Sequence, residues 1–353
     1  MSAQDVVIVS AGLVSPVGLS LPETAAAARG RVARLREIDW YDRRQEAFIV
    51  GQVPDDGLPP LADTLAGLPM QAREARMLRL AHVALEEALA PLQGQDGPLP
   101  LLLGLPEQHT TRPIKPGAFL HHLAAQAPGL VDAQRSIAAA RGRAAGLVAL
   151  REGVVRLRRG DSAFVLVGGV DSLVDPYVLG ALDLEGRVRN SVNNDGFSPA
   201  EGAAVLLLAL APTAQAQGLQ PLARLLGTAH GHEPGHLYAD EPYKGEGLAA
   251  AFATLLAEAP PPEPIASVFC SFNGERYWAR EYGVARLRQS QAFAAEHAVE
   301  HPAECFGDLG AAHGPALAAL AAHGVCQGYR RAPCLVFASS DHGDRAASLL
   351  VAA

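Results

Sequence analysis

The chain has 353 residues, more than one small core requires, so we expect two domains or one large duplicated α/β domain. Hydrophobic residues make up 49% and charged residues 19%, which is enough apolar material for a large core. The formal net charge of −8 argues against nucleic acid as a partner, because phosphate backbones are bound by a basic face.

The four cysteines have spacings that suit neither a zinc site nor a disulfide scaffold. The first twelve residues have no basic segment before a long apolar run, so we expect no secretory signal. No stretch approaches the roughly 20 apolar residues that cross a bilayer. We therefore expect a cytoplasmic protein that binds no membrane, metal or cofactor.

Hydrophobic runs alternate with helical periodicity through the first part of the chain. Short apolar runs predict buried strands, and apolar residues three and four apart predict amphipathic helices. The predicted elements are a strand at 6–10, helices near 22–29 and over 72–90, a strand at 98–104, helices over 117–125 and 144–159, and strands within 162–173 and 200–210. Residues 50–62 are predicted to be loop from their Pro and Gly content.

The later part of the chain repeats this alternation. LARLLGTAHG, at 222–231, opens this part. The predicted elements that follow are a helix over 245–257, a strand at 265–272, helices over 277–288 and 310–323, and a closing strand pair at 333–340 and 346–353. A composition shift near 212–221 divides the chain into halves, 1–213 and 214–353. We expect duplicated β-α-β-α-β halves with mainly parallel sheets and helices on both faces.

Four stretches resemble β-ketoacyl synthases, in the order in which that family carries them. They are VVIVSAGLVSPVG, GLVALREGVVRLRRGDSAFVLVGGVDSL, NNDGFSPAEGAAVLLL and GDLGAAHG, and together they span nearly the whole chain. The middle two are the specific ones. The resemblance implies the thiolase-like fold, in which the two halves form α-β-α-β-α layers.

The family's reaction uses a cysteine nucleophile at a helix N-terminus, two histidines and a lysine. By this resemblance, the cysteine position falls on Arg143 and the lysine position on Ala303. The two histidine positions fall on Asn273 and Asp308. A guanidinium is not a nucleophile and stays charged, so the resemblance implies a catalytically degenerate protein.

Arg143 and Asp308 should both point into the cavity that the family uses for catalysis. A buried guanidinium without a counter-charge is costly. We therefore predict an ion pair between the two side chains, with Asn273 hydrogen-bonded beside it. The alternative is a shifted loop that leaves Arg143 in solvent.

Relocated chemistry is a competing interpretation. Cys305, with His313 as its base, would supply a new nucleophile. His342 lies in SSDHGDR, where the family has its gating turn, and would donate into the cavity. The simpler interpretation is that Cys305 is a small buried apolar residue and that His342 is a satisfied turn residue.

The segment AHGHEPGH contains three histidines, His230, His232 and His236, and is predicted to be a loop after a strand. Glu233 adds an oxygen donor, so the residue types would suit a metal ion. Polar loop residues are the simpler interpretation, and we predict no metal site.

A second motif is assigned a structural role. It consists of Asp195, Gly196, Phe197, Glu201 and Gly202. We expect the two acids to cap loops around the site entrance and not to act as an acid/base pair.

Two classes of function follow. The first is a binding, adaptor or scaffold protein, either a chain-length-factor-like subunit or an accessory protein for a type VI secretion effector. It would form a homodimer, or a heterodimer with a ketosynthase-like chain, and an acyl carrier protein is a further candidate partner. By resemblance, dimers would pair through the SAFVLVGG strand. The second class is an active 3-oxoacyl synthase-like acyltransferase or thioester-processing enzyme with a relocated nucleophile.

Overall fold

The computed structural model describes residues 2–92, 97–108 and 112–353. The helices are α1 (Leu21–Arg29), α2 (Ala72–Leu89), α3 (Pro116–Gln126), α4 (Ala145–Arg159), α5 (Pro176–Leu184), α6 (Ala211–Ala216), α7 (Glu246–Glu258), α8 (Arg276–Arg288), α9 (Ala303–Phe306) and α10 (His313–Cys326). The strands are β1 (Val6–Val14), β2 (Arg36–Tyr41), β3 (Ala47–Val50), β4 (Leu101–Leu105), β5 (Ile137–Ala140), β6 (Phe164–Ser172), β7 (Glu201–Leu210), β8 (Ala223–His232), β9 (Ile265–Cys270), β10 (Phe293–Glu300), β11 (Cys334–Ser339) and β12 (Asp344–Val351). Across these ranges, no helix combines the length and apolar character needed to cross a membrane.

The predicted helices and buried strands are confirmed, with ends displaced by a few residues. The helix predicted over 72–90 is α2, and the helix predicted over 144–159 is α4. Sequence reasoning missed the β2–β3 hairpin, α5, α6, α9, β5 and β10. β2 is a mostly exposed strand of mixed polarity and β5 is only four residues long, so neither shows the apolar pattern that predicts a strand.

Ten strands of the described residues form one sheet, in the order β10-β9-β11-β12-β8-β1-β7-β6-β4-β5. The three strands at each end are parallel to their neighbours. From β11 through β12, β8, β1 and β7 to β6 the neighbours are antiparallel. The prediction of mainly parallel sheets is therefore wrong for the middle of the sheet. Here the β11–β12 connection is a short turn, which joins only antiparallel strands.

β6 is an interior strand, with β4 on one side and β7 on the other. A strand that is hydrogen-bonded on both sides has no free edge. The prediction that SAFVLVGG pairs across a dimer axis is therefore wrong. The strand that ends the sheet order on this side is β5.

Buried clusters show how the layers are built. One cluster joins Leu147 of α4 and Leu317 of α10 to Val167 of β6 and Val336 of β11, so these two helices lie between the two ends of the sheet. A second cluster packs α2 and α3 against the outer face of β1, β4, β6 and β7. A third packs α7 and α8 against β9, β11 and β12. The predicted α-β-α-β-α layering is confirmed.

The strands before residue 213 lie together on one side of the sheet order, and those after it lie on the other. They meet where β1 pairs with β8. Residue 213 itself falls within α6. The division into halves 1–213 and 214–353 remains our proposal.

Candidate functional site

Arg143 lies in a 3-10 turn directly before α4. Gly142 precedes it with a φ of 65°, a left-handed conformation that favours glycine, and a Cβ at that position would lie 2.8 Å from the Glu107 carboxylate. The Ala144 N–H donates to Ser340 Oγ at 2.9 Å. These contacts fix the turn, and the Arg143 side chain points inward with 6% of its surface exposed.

Two carboxylates bind the Arg143 guanidinium. Its Nε and Nη2 donate to Asp308 Oδ2 at 2.8 and 2.5 Å, and its Nη1 donates to Asp341 Oδ1 at 2.5 Å. Asn273 Nδ2 donates to the same Asp308 oxygen at 2.8 Å. The predicted ion pair, with Asn273 beside it, is confirmed. The alternative of a solvent-exposed Arg143 is wrong.

Arg187 and Glu275 extend these contacts into a closed ring. Arg187 donates from Nη1 to Asp341 Oδ2 at 2.7 Å, and from Nε and Nη2 to the two oxygens of Glu275 at 2.8 Å each. Asn273 closes the ring by donating to Glu275 Oε2 at 3.0 Å. We call this group the ionic ring; its members are Arg143, Asp308, Asn273, Glu275, Arg187 and Asp341.

The elements that supply the ring come from both parts of the chain. The two arginines lie before residue 213, in the turn before α4 and in the segment after α5. The three acids lie after residue 213: Glu275 caps α8, Asp308 follows α9, and Asp341 follows β11. Three carboxylates therefore face two guanidiniums, which leaves one formal negative charge in excess. All five charged side chains are buried.

Aromatic rings cover the guanidiniums. Arg143 Cζ lies 5.4 Å from the Trp278 ring centroid, and Arg187 Cζ lies 5.2 Å from that of Phe197. Both distances are within the range of cation–π attraction. Trp278 Nε1 also donates to Glu275 Oε2 at 2.9 Å. The ring is thus held by packing as well as by charge.

The electrostatics of the ring keep its members ionised. Burial acts to raise the pKa of Asp308, but Arg143 and His313 hold it well below its usual range. Burial likewise opposes ionisation of Asp341, and Arg143 and Arg187 hold its pKa below the usual value. Burial acts to lower the pKa of Arg143, and Asp308 and Asp341 raise it above normal. Each charge is stabilised by its neighbours.

Sequence reasoning found one acid for Arg143 and missed Arg187, Glu275 and Asp341. Two of the missed residues stand in stretches that the resemblance did single out, CSFNGER and SSDHGDR. A guanidinium can donate five hydrogen bonds, and one carboxylate cannot accept them all. The five donors of Arg143 therefore indicated that a second acid should lie beside it.

The ring separates two cavities of different size. The smaller, of about 40 Å³, is lined by Arg143, Asp341, Arg73 and Phe197 among others. The larger, of about 380 Å³, lies on the Asn273 side of the ring and is also lined by Ala303. The space beside Arg143 holds a few water molecules at most.

His313 lies at the start of α10 and is fully buried. Its Nδ1 is 3.3 Å from Asp308 Oδ1, and its Nε2 has no hydrogen-bond partner among the described residues. The Phe306 ring lies 5.9 Å from it. Cys305 is also buried, and burial, reinforced by Glu304, raises the pKa of its thiol. These surroundings disfavour a thiolate.

His342 lies in the turn after β11, beside the site and partly exposed. Its Nδ1 is 3.5 Å from Glu107 Oε1, and its ring stacks on Tyr238 with centroids 4.8 Å apart. The hydrogen bond to Glu107 raises the pKa of His342. Glu107 also accepts the backbone N–H groups of Asp341 and His342 at 3.1 Å each. Glu107 thus holds the whole turn against Arg143.

The two acids of the structural motif make different contacts. Asp195 accepts the backbone N–H of Arg276 at 2.7 Å and its Nε at 2.7 Å, so it caps the start of α8 and not a loop. Glu201 is buried at the start of β7, where it accepts the Val53 N–H and binds Arg76. The remaining motif residues, Gly196, Phe197 and Gly202, pack against the chain around them, and Phe197 is buried beside the ring.

The prediction of a histidine-rich loop is partly wrong. His230 and His232 lie in β8, where they pair with residues of β12, and His236 follows the strand. Glu233 is buried and accepts the Gly247 N–H at the start of α7, at 2.9 Å. Within the ranges that the structure describes, no three His, Cys, Asp or Glu side chains are grouped to hold a metal ion.

Residues 135–214 match the family described as β-ketoacyl synthase, N-terminal domain. This segment contains Arg143 and the Asp195 motif. Among curated proteins, a 6-methylsalicylic acid synthase of Arthrobotrys oligospora is 37% identical over 97 residues, which are 26% of this chain and 6% of that protein. The chain thus spans a small fraction of that relative's length.

Solved structures match over the whole chain. The ishigamide ketosynthase/chain length factor has a TM-score of 0.80 at 17% identity, with 100% of both chains covered. An oxazolomycin ketosynthase domain of Streptomyces albus JA3453 has a TM-score of 0.80 at 16% identity, covering 99% of this chain and 75% of that one. A type II PKS acyl-carrier protein in complex with its ketosynthase gives 0.76 at 16%, with both chains fully covered.

The chain has the ketosynthase fold. The resemblance stated from the four sequence stretches is confirmed, and so is the thiolase-like architecture it implied. In this ketosynthase-like chain the positions assigned to the family's cysteine and histidines, Arg143, Asn273 and Asp308, are in direct contact. Ala303, at the assigned lysine position, is not part of the ring but lines the larger cavity.

Proposed function

We propose that this chain is a non-catalytic ketosynthase-like subunit that acts by binding a protein partner. The observation that carries the proposal is the Arg143 side chain at the start of α4. The family assignment places a nucleophile there, and this chain has a buried guanidinium bound by Asp308 and Asp341. A guanidinium at that position cannot accept an acyl group.

The surroundings of Arg143 also disfavour substrate binding. The cavity beside it, of about 40 Å³, is too small for an acyl chain. The assigned histidine positions hold Asn273 and Asp308, and both side chains are engaged in the ring. An imidazole that donates to a developing enolate therefore has no counterpart at these positions.

The alternative of an active acyltransferase needs a relocated nucleophile. Cys305 is buried and its pKa is raised, so its thiol is held in the unreactive form. His313 is committed through Nδ1 to Asp308. These two observations weigh against the alternative.

The proposed partner is a ketosynthase-like chain. One matched solved structure is a ketosynthase/chain length factor and another is an acyl-carrier protein with its ketosynthase, which favours the chain-length-factor-like role over a secretion-accessory role. The chain offers β5, the last strand of the sheet order, as an edge that can pair with a second chain. Its exposed Ile137 adds an apolar contact at this edge.

Acyl loading tests the proposal. The natural protein and Arg143→Cys would be incubated with acyl- and malonyl-thioester donors, and intact mass would be measured. We expect no adduct on the natural protein, because position 143 has no thiol to accept an acyl group. An adduct on Arg143→Cys alone would show that Arg143 is what prevents loading. A covalent adduct on the natural protein would overturn the proposal, and mapping it would identify the relocated nucleophile.

A further inference from the structure

The larger cavity lies outside the contacts of Arg143 and forms a separate feature. It occupies about 380 Å³ between the first turn of α8, the segment before α9 and the residues before β2. Its volume falls within the range of small-molecule sites in proteins. Nothing in the proposed partner-binding role requires an open cavity here.

Most charges on the cavity wall already have partners. Glu275 is bound by Arg187, and Glu304 pairs with Arg31 at 2.6 Å. Arg276 pairs with Asp195 at 2.7 Å. Both acids on this wall therefore have an ion-pair partner, although the ring that contains Glu275 keeps one formal negative charge in excess.

Arg189 is the exception. It lines the cavity, is exposed, and has no ion-pair partner within the described ranges. Ser198 lies on the same wall and is 8% exposed, and its hydroxyl makes no hydrogen bond to another described residue. A free guanidinium and a nearly buried free hydroxyl are donors that match an oxyanion.

The rest of the wall is apolar. Leu35, Phe272, Ala279 and Ala303 contribute hydrocarbon surface beside these donors. A small organic anion would place its charged head at Arg189 and Ser198 and its body against this surface. Such a division into a few polar groups and an apolar lining is typical of ligand pockets.

We propose that this cavity binds a small organic anion with a carboxylate or phosphate head and a short apolar body, held by Arg189 and Ser198. The inference stands independently of whether Arg143 abolishes catalysis. Asn273 belongs to both the cavity wall and the ionic ring. A ligand in the cavity therefore touches the ring without entering it.

Isothermal titration calorimetry tests the proposal with three probes of equal chain length: octanoate, octyl phosphate and octanamide. We expect one or both anions to bind, and the neutral amide to bind at least about tenfold more weakly, because it loses the charge-assisted bond to Arg189. The better anion identifies the head group. Equal binding of all three probes, or no binding of either anion, overturns the proposal.

Three variants locate the site. Arg189→Ala should weaken anion binding by about tenfold or more, and Ala279→Leu, on the exposed wall of α8, should block the cavity. Arg159→Ala, an exposed arginine at the end of α4, removes the same charge elsewhere and should leave binding unchanged. Arg189 makes no ion pair with any residue that the structure describes, so its variant should keep the natural thermal unfolding midpoint. Unchanged binding by Arg189→Ala would place the ligand elsewhere.

Discussion

The two sides of the ionic ring differ in the volume of the cavity beside them. On the Arg143 side the guanidinium and two carboxylates leave about 40 Å³, whereas the Asn273 side has a cavity of about 380 Å³. The closed side is filled by groups that must be paired because they are buried. The open side has a short Ala303 side chain and Arg189, which has no ion-pair partner among the described residues. Charge pairing thus closes one side of the same ring, while small side chains keep the other accessible.

The largest effect should come from breaking the closed side. Asp308→Ala removes the acceptor of two Arg143 hydrogen bonds and leaves that guanidinium with Asp341 alone. Loss of one partner from a buried pair costs about 3–5 kcal/mol of unfolding free energy. Urea unfolding measures it. A loss under about 1 kcal/mol would contradict the packing described for this side.

A double variant provides the matched control. Arg143→Met with Asp308→Leu replaces the pair by apolar groups of similar length. Such replacements are often neutral or stabilising, so the double variant should be more stable than Asp308→Ala alone. A double variant as unstable as the single one would show that the surrounding ring, and not this pair, sets the cost.

Acid pH should lower the unfolding free energy through the closed side of the ring. The pKa values of Asp308 and Asp341 are lowered in the folded state by Arg143, so this state binds fewer protons than the unfolded one. Their contribution is present above the unfolded pKa of about 3.9 and is lost as pH falls toward the folded pKa. The unfolding free energy should begin to fall near pH 5 and continue to fall below pH 3, and it should fall less steeply in the double variant.

Asn273 connects the two sides, and its replacement should have a smaller effect. Asn273→Ala removes hydrogen bonds to Asp308 and Glu275, which costs about 1–3 kcal/mol. Asn273→Asp should cost more, because it adds a carboxylate to a ring that already has an excess negative charge. Thermal unfolding of both variants tests the order. The reverse order would show that the amide bonds matter more than the charge.

The smallest effect concerns the turn beside the ring. Glu107 raises the pKa of His342 through a hydrogen bond, so Glu107→Gln should lower that pKa toward its ordinary value. The NMR titration of the imidazole measures this shift. His323, whose pKa is lowered by burial and Arg29, lies on α10 and should titrate as before. If the substitution leaves the pKa of His342 unchanged, Glu107 is not the cause of the raised pKa.

More of the fold than of the site could be predicted from the sequence. Apolar runs such as 200–210 and helical periodicity such as 144–159 predicted β7 and α4, because burial dictates those patterns. The exposed hairpin β2–β3 was missed because nothing buries its outer face. The direction of strands in the middle of the sheet depends on chain connections that periodicity does not encode.

The part of the site that could be predicted from the sequence is the ion pair between Arg143 and Asp308. A buried Arg143 requires an acid, and Asp308 was found by its place in a motif. Arg187 lies 44 positions beyond Arg143 and belongs to no motif that carried the resemblance, so only the folded chain brings it to Asp341. The second cavity could not be predicted, because its volume arises from the absence of large side chains at Ala279 and Ala303.

The distribution of charge in the ionic ring has a consequence for how this sequence can change by recombination. Both arginines come from before residue 213, and all three acids come from after it. Consider a chimera that joins the first part of this chain to the last part of a relative. Its two guanidiniums would contact the residues that the relative has at the three acidic positions. A donor without carboxylates at these three positions would leave buried guanidiniums unpaired, so we expect such a chimera to be strongly destabilised.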